Sequence, residues 1–273
     1  MSILETLIRP FRRNRGIARP FRPPDGTRIY AFGDVHGRAD LLQSLMDSVV
    51  GDLARAERSW DRCEVVGLGD YLDRGPQSRR VLDLLIGAAL PAGCRLTALR
   101  GNHEDAFLHA LADPMAIPDW LEYGGAATLV SYGVVPIAGA PSRERSERMQ
   151  AELAAALPPA HKAFLAAMPT SLRLGDYLFV HAGVRPGRPL EQQAPEDLLW
   201  IRHEFLASRR FHGAMIVHGH HIVPQPEILD NRMGIDTGAY CTNVLSCLVL
   251  EGDTAGLIQA TPAGIRRSAL PPR

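Results

Sequence analysis

The sequence predicts an α/β domain folded as an αββα sandwich: two mixed β-sheets packed face to face, with helices outside. Three observations predict it. From Arg28 onward, short β-prone runs alternate with amphipathic stretches, the rhythm of βαβ units. Most of these runs stop at glycine and aspartate, asparagine or histidine, which is where an α/β sheet exposes its chemistry. From Ile228 to Ile258, short apolar runs separated by Asn, Asp and Gly turns are expected to supply strands of a second sheet.

The elements follow in order. Residues 1–27 are rich in Arg, Pro and Phe and read as a flexible basic leader. Its arginines (Arg9, Arg12, Arg13, Arg15, Arg19, Arg22) read as a solvated tail in preference to a surface for an acidic partner or membrane. The domain proper is expected over 28–262. The run Arg28–Phe32 is a strand that breaks at Gly33, and Ala39–Ala54 is helical. Cys63–Leu68 and Arg95–Leu99 are strands, separated by a helix over Pro76–Leu90, and Glu104–Leu111 is the next helix. Residues 113–176 interrupt the rhythm. They carry Trp120, Tyr123-Gly124-Gly125 and a helix from about Arg145 to Met168, and read as an insertion bordering the active-site cleft. Tyr177–Val180 and Ala214–Val217 return to strand, and 263–273 is expected to be a tail.

The strand ends carry the chemistry. They read Gly33-Asp34-Val35-His36-Gly37, Gly69-Asp70-Tyr71-Leu72-Asp73-Arg74-Gly75, Gly101-Asn102-His103-Glu104, His181-Ala182-Gly183 and His218-Gly219-His220. Residues i and i+2 of an extended chain point to one side, so Asp34 and His36 can reach one cation. A single Gly-Asp is usually a turn, and a single histidine after a strand is usually a hydrogen-bonded residue of surface or core. Five repetitions with nitrogen and oxygen donors and no cysteine are hard to produce as turns alone. Carboxylate, imidazole and amide oxygen together suit manganese, iron or zinc better than a thiolate or an all-oxygen calcium site.

The ordered set resembles the phosphoprotein phosphatase family of binuclear metallophosphoesterases, in its bacterial serine/threonine phosphatase branch, from about Arg28 to about Gly256. That resemblance implies the calcineurin-like metallophosphoesterase sandwich and two divalent metal ions, manganese first, with iron or zinc acceptable. It implies that Asp34, His36 and Asp70 bind one ion, and that Asp70, Asn102, His181 and His220 bind the other, with Asp70 bridging. It also implies direct attack on phosphorus by a metal-bridging hydroxide, with no covalent phosphoenzyme. His103 would be the general acid, Asp73 its orienting partner, and Arg74 and Arg202 the clamps on phosphate, with Asn102 and Tyr240 beside it. His218 and His221 flank His220 as alternative ligands; the family places the ligand after the glycine. Where the family commonly has Gly-His-Thr, this chain has His221 in place of the threonine.

The substrate expected is a phosphorylated protein or a small phosphoester. Symmetrical diadenosine tetraphosphate hydrolases share the metal site, but typically have alanine where this chain has Asp73 and aspartate where it has Glu104, which favours the protein-phosphatase side. A regulatory protein that binds phosphopeptide without turnover would normally have lost a ligand, the acid or an arginine, and none is missing here. Lys162 is the only lysine, which excludes a Walker-type phosphate loop and a nucleotide-driven enzyme.

Composition bounds the rest. With 273 residues, 46% of them hydrophobic, the chain can bury a core without disulfide staples. Thirty basic and thirty acidic residues argue against a general nucleic-acid binder. Cys63, Cys94, Cys241 and Cys247 show no CxxC spacing and read as free thiols of a reducing compartment. No apolar stretch reaches membrane-spanning length and the start has no secretion-signal core, so a cytoplasmic location is expected.

Overall fold

The computed structural model describes residues 21–55, 60–139 and 142–270. The first half runs β1 (Thr27–Phe32), α1 (Ala39–Arg55), β2 (Arg62–Gly67), α2 (Ser78–Ile86), β3 (Cys94–Ala98) and α3 (Asn102–Ala112). A helical stretch follows with α4 (Ile117–Trp120), a π-turn at Leu121–Gly125, α5 (Ala126–Ser131), α6 (Arg143–Ala156) and α7 (Pro159–Ala166). Then come β4 (Ser171–Leu174), β5 (Tyr177–Val180), α8 (Pro195–Trp200), α9 (His203–Leu206), β6 (Met215–His218), β7 (Glu227–Ile228) and β8 (Arg232–Gly234). The chain closes with α10 (Ala239–Thr242), β9 (Leu245–Glu251), β10 (Thr254–Thr261) and β11 (Gly264–Ala269).

The strands form two mixed sheets, of order β11-β10-β9-β1-β2-β3 and β4-β5-β6-β8-β7. Within the first, β1, β2 and β3 are parallel and β9 runs antiparallel to β1. Within the second, β5, β6 and β8 are parallel, with antiparallel β4 and β7 at the edges. The two-residue period of a strand sorts the side chains. On β1, Ile29 and Ala31 face the second sheet and pack with Phe179, Val217, Met233 and Leu250, while Tyr30 and Phe32 face the helices. Helix α1 closes that outer layer with Leu41, Leu42, Leu45, Met46, Val49 and Leu53, the spacing of a helix with one apolar face. Across the molecule, Leu198, Ile201 and Phe205 cover the outer face of the second sheet. The αββα sandwich is therefore the architecture.

Four boundaries differ from the sequence reading, each for a physical reason. The run over 228–258 does not all enter the second sheet: β9 and β10 join the first, because β9 pairs with β1 along Arg28↔Glu251 to Phe32↔Cys247. The domain does not end at 262, since Gly264–Ala269 pairs with β10 as an edge strand in place of a free tail. The helix expected over Arg145–Met168 is two helices, broken at Pro158-Pro159, where ring sterics and missing N–H groups stop helical hydrogen bonding. Of the leader, residues 1–20 lie outside the described residues. Phe21 and Arg22 are seated on the second sheet, with the Tyr177 hydroxyl donating to the Phe21 carbonyl and the Asp176 N–H to that of Arg22.

Among the described residues no helix is long and apolar enough to cross a membrane. The four cysteines are free.

Candidate metal centre

The ends of β1, β2, β5 and β6, together with the turn after β3 that opens α3, converge on one buried cluster. Asp34, His36, Asp70, Asn102, His103, His181 and His220 are all buried there. Asp70 lies in the middle. Its Oδ2 is 3.5 Å from His36 Nε2 and 3.8 Å from His103 Nε2, and its Oδ1 is 3.3 Å from His181 Nε2. Two groups of donors converge closely enough to hold a cation each: His36, Asp70 and His103, and Asp70, His181 and His220. Asp34 is in neither group, and His103 stands in the first where the sequence reading expected Asp34; the Asp34 carboxylate oxygens each accept from the His220 N–H at 3.1 Å.

Hydrogen bonds aim these rings. His36 Nδ1–H donates to the Leu72 carbonyl at 2.7 Å, and His181 Nδ1–H to the Leu68 carbonyl at 2.8 Å. Each Nε2 is thereby left as a lone pair. The His36 and His220 Nε2 atoms are buried with no hydrogen-bond partner. His181 Nε2 faces Asn102 Oδ1 at 2.8 Å and His220 Nδ1 at 3.1 Å. An amide oxygen, a carboxylate oxygen and two imidazole nitrogens pointing at one another repel unless something positive lies between them. The donor set fits divalent cations.

The electrostatics agree. Burial lowers His36 to about 3 and His220 to about 2, and lowers His181 too, so all three rings are neutral at neutral pH, the form that can donate a lone pair to a cation. Burial, with Asp236 and Asp70 nearby, raises Asp34 well above the usual carboxylate range. Burial likewise pushes Asp236 up to about 6, against the bond from the Gly238 N–H. Carboxylates crowded in this way create a negative potential that a cation relieves. Burial would also raise Asp70, but the histidines around it (His181, His103, His36 and His220) outweigh burial as they take up protons on acidification, and its pKa lies below the usual carboxylate range.

His103 is held differently. Its Nδ1 donates to Asp73 Oδ2 at 2.8 Å. Asp73 also accepts from the Trp120 indole N–H at 3.0 Å and the Thr128 hydroxyl at 2.6 Å, and its own N–H donates to Thr128 and Ser78. Burial opposes a charged ring, but Asp70 and the Asp73 bond outweigh it, and the His103 pKa is raised. Arg74 Nη2 donates to His103 Nε2 at 3.1 Å, so the ring takes a second proton only when Arg74 turns away.

The remaining residues sit around this core. The Arg74 guanidinium lies 5.0 Å from the centre of the Tyr240 ring, which meets His36 edge-on at 5.3 Å. Arg202 is exposed at the start of α9, and its charge acts on His181 and His220. Of the three neighbouring histidines, only His220 faces the cluster. His218 turns outward against Phe205, and His221 is exposed.

Some of the scaffold was not assigned from sequence. Glu104 is fully buried and accepts four backbone N–H groups: Asp70 (2.8 Å), Tyr71 (2.8 Å), Leu72 (3.1 Å) and Gly101 (2.9 Å). Burial and Asp70 push this carboxyl up to about 7, against its bonds from Gly101 and Leu72. Four donors and no acceptor around it fit the ionised form. It ties the turn after β2 to the start of α3. Gly101 allows that approach, because a Cβ there would lie 2.2 Å from Asp70 Oδ1. Five of the six non-glycine residues with positive φ among the described residues are His36, Asp70, Asp73, Arg74 and His220. Left-handed backbone at such residues is held by its surroundings and clusters at functional sites.

A sandwich of two mixed sheets whose strand ends gather carboxylates, imidazoles and an amide into adjoining cation sites is the architecture of a metal-dependent phosphoesterase. The chain belongs to the calcineurin-like phosphoesterase family, which matches residues 27–247. Among curated proteins it is 29% identical over 201 residues to Shewanella-like protein phosphatase 2 of Arabidopsis thaliana, covering 64% of this chain and 50% of that one. It is 39% identical over 84 residues to a symmetrical bis(5'-nucleosyl)-tetraphosphatase of Paracidovorax citrulli, covering 31% of this chain and 25% of that one. The matches span half or less of the length of the curated relatives. The crystal structure of a cold-active protein-tyrosine phosphatase of a psychrophilic Shewanella species shares the fold, with a TM-score of 0.57 at 17% identity, covering 92% of this chain and 83% of that one.

Proposed function

We propose that the chain is a metal-dependent phosphomonoesterase acting on phosphorylated protein, with phosphoserine and phosphothreonine as first substrates. The observation that carries this reading is the pairing of Asp70, set between two groups of donors, with a histidine held beside it by a dedicated carboxylate. Asp34, His36 and Asp70 would hold one divalent cation, and Asp70, Asn102, His181 and His220 the other, with manganese as the first choice. When bound, the cations supply Lewis acidity toward phosphate oxygens and an activated water.

The chain's own groups do the rest. Arg74 and Arg202 bind phosphate oxygens through their guanidinium N–H groups. As Arg74 turns from His103 to the phosphate, the His103 Nε2 is released to carry a proton to the departing alkoxide. Asp73 keeps the Nδ1 proton in place and stabilises the charged ring, while Trp120 and Thr128 keep Asp73 from rotating.

A symmetrical dinucleoside tetraphosphatase is the second reading, favoured by the 39% identity over 84 residues. The test compares hydrolysis of a phosphoserine or phosphothreonine peptide with that of diadenosine tetraphosphate by metal-stripped protein refilled with Mn²⁺. Asp70→Asn and His103→Asn serve as controls. Preference for the peptide, lost in both variants, is expected; preference for the dinucleotide replaces the first reading with the second.

A further inference from the structure

A pair of sulfur side chains that the phosphate chemistry does not use stands at the opposite end of the first sheet. Strand register places Cys63 of β2 directly beside Cys94 of β3. Both lie on the helix-facing side, Cys63 buried in that core and Cys94 packed against it. In-register neighbours on adjacent strands stand about 4.7–4.9 Å apart, within the span of about 4.4–6.8 Å that disulfides bridge between Cα atoms. The two thiols already interact, Cys63 sharing a side-chain hydrogen bond with Cys94. The Cys63 N–H donates to the Gly93 carbonyl at 3.0 Å, which ties the two strand beginnings together. From this pair the strands run side by side to Gly67 and Ala98, about 13 Å further on, where the turns that carry Asp70 and Asn102 begin.

Access differs between the two sulfurs. Cys94 closes the turn Pro91–Cys94, whose middle residues Ala92 and Gly93 are exposed, and is itself half-buried. Cys63 is closed off, and burial, with Cys94 alongside, pushes its thiol up. Arg28, its β1 neighbour in the same row, acts the other way and favours the Cys63 thiolate.

We propose that Cys63 and Cys94 form a thiol–disulfide exchange site that takes a small disulfide of the glutathione type and closes into a reversible bridge between β2 and β3. The Cys94 thiolate attacks one sulfur of the small disulfide, whose S–S bond breaks and releases one glutathione thiol. Cys63 then gives up its proton and attacks the Cys94 sulfur, and the second glutathione leaves with that proton. Two protein thiols are oxidised and one small disulfide is reduced to two thiols, so the exchange balances without another reactant. The bridge closes the chain from Cys63 to Cys94, α2 included, into a loop, which restricts the unfolded chain and raises stability. It forms whatever ester the metal centre cleaves.

The test incubates the manganese-loaded full chain with oxidised glutathione, blocks remaining thiols and maps the peptides by mass spectrometry without reduction. The expected product is a Cys63–Cys94 linked peptide that dithiothreitol reverses, while the exposed Cys241 carries only a glutathione cap and the buried Cys247 stays a thiol. In Cys63→Ala, Cys94 should stop at the glutathione adduct; in Cys94→Ala, Cys63 should remain a free thiol. The wild-type map needs neither variant, so it decides the matter even where a variant fails to fold. Oxidation should raise the Tm of wild type by about 5–10 °C and leave that of Cys63→Ala unchanged. Cys63 and Cys94 recovered as free thiols, capped separately, or joined to other cysteines would overturn the proposal. An oxidised wild type that melts no higher than the reduced form overturns it too, because the bridge would then not fit the native sheet.

Discussion

Replacing Glu104 with glutamine tests how the centre is braced. The carboxylate oxygens each accept two backbone N–H groups, Oε2 those of Asp70 and Gly101, and Oε1 those of Tyr71 and Leu72. Glutamine keeps one oxygen and presents an NH₂ group to the other pair, so two buried hydrogen bonds are lost and donors face donors. A hydrogen bond to a charged group contributes about 1.5–3 kcal/mol, which puts the loss at about 3–6 kcal/mol. Glutamine also removes the cost of burying a charge, so the lower end, about 3 kcal/mol, is expected. For a domain of this size that is a fall in Tm of about 6–12 °C. The assay is thermal unfolding of metal-stripped protein followed by circular dichroism, so that lost cation binding does not contribute. A fall of less than about 2 °C would refute the reasoning, because Glu104 would then not be the tie between the two turns.

Three further outcomes are expected. His103→Asn should lower kcat on a phosphopeptide by about a hundred- to ten-thousandfold with little change in KM, measured by phosphate release. Trp120→Phe removes the N–H that restrains Asp73 and also trims the buried indole to a single ring; a kcat about tenfold lower is expected, with Tm falling as well because of the cavity left behind. Chelation should abolish hydrolysis, and Mn²⁺ at about 100 times its Kd should restore about 2.7 kcal/mol of stability, seen as a rise in Tm of the stripped protein. An Asp70→Asn variant serves as the control that shows no such rise.

The strand ends were legible in the sequence because their signal is local. A β-prone run, a glycine and a donor two residues from another donor specify both the element and the direction of its side chains. Glu104 was visible as part of a motif, but its task was not, since the four N–H groups it gathers come from two turns that meet only in the folded chain. Trp120 and Thr128 were hidden for the same reason: Asp73 lies about 50 residues away from both. The strands over 245–261 carry the same apolar pattern whichever sheet they enter, so pairing with β1 could not be read from them. Gly264–Ala269 is exposed along its whole length and shows no alternation to reveal a strand. Pro158-Pro159 was a readable break, and the single helix expected there passed over it.

The partner of β1 on one side is β2, close by in sequence, and on the other side β9, more than 200 residues later. At a synthesis rate of about 5–20 residues per second, that second partner leaves the ribosome roughly 10–40 s after the first strand. Until then the newly made chain carries an open β edge beside the end of the strand that leads to Asp34 and His36. Unpaired edges of that kind invite pairing with other chains. A burst of slow translation late in the message, before Leu245, would lengthen that exposure, whereas the same pause placed after Thr261 would not.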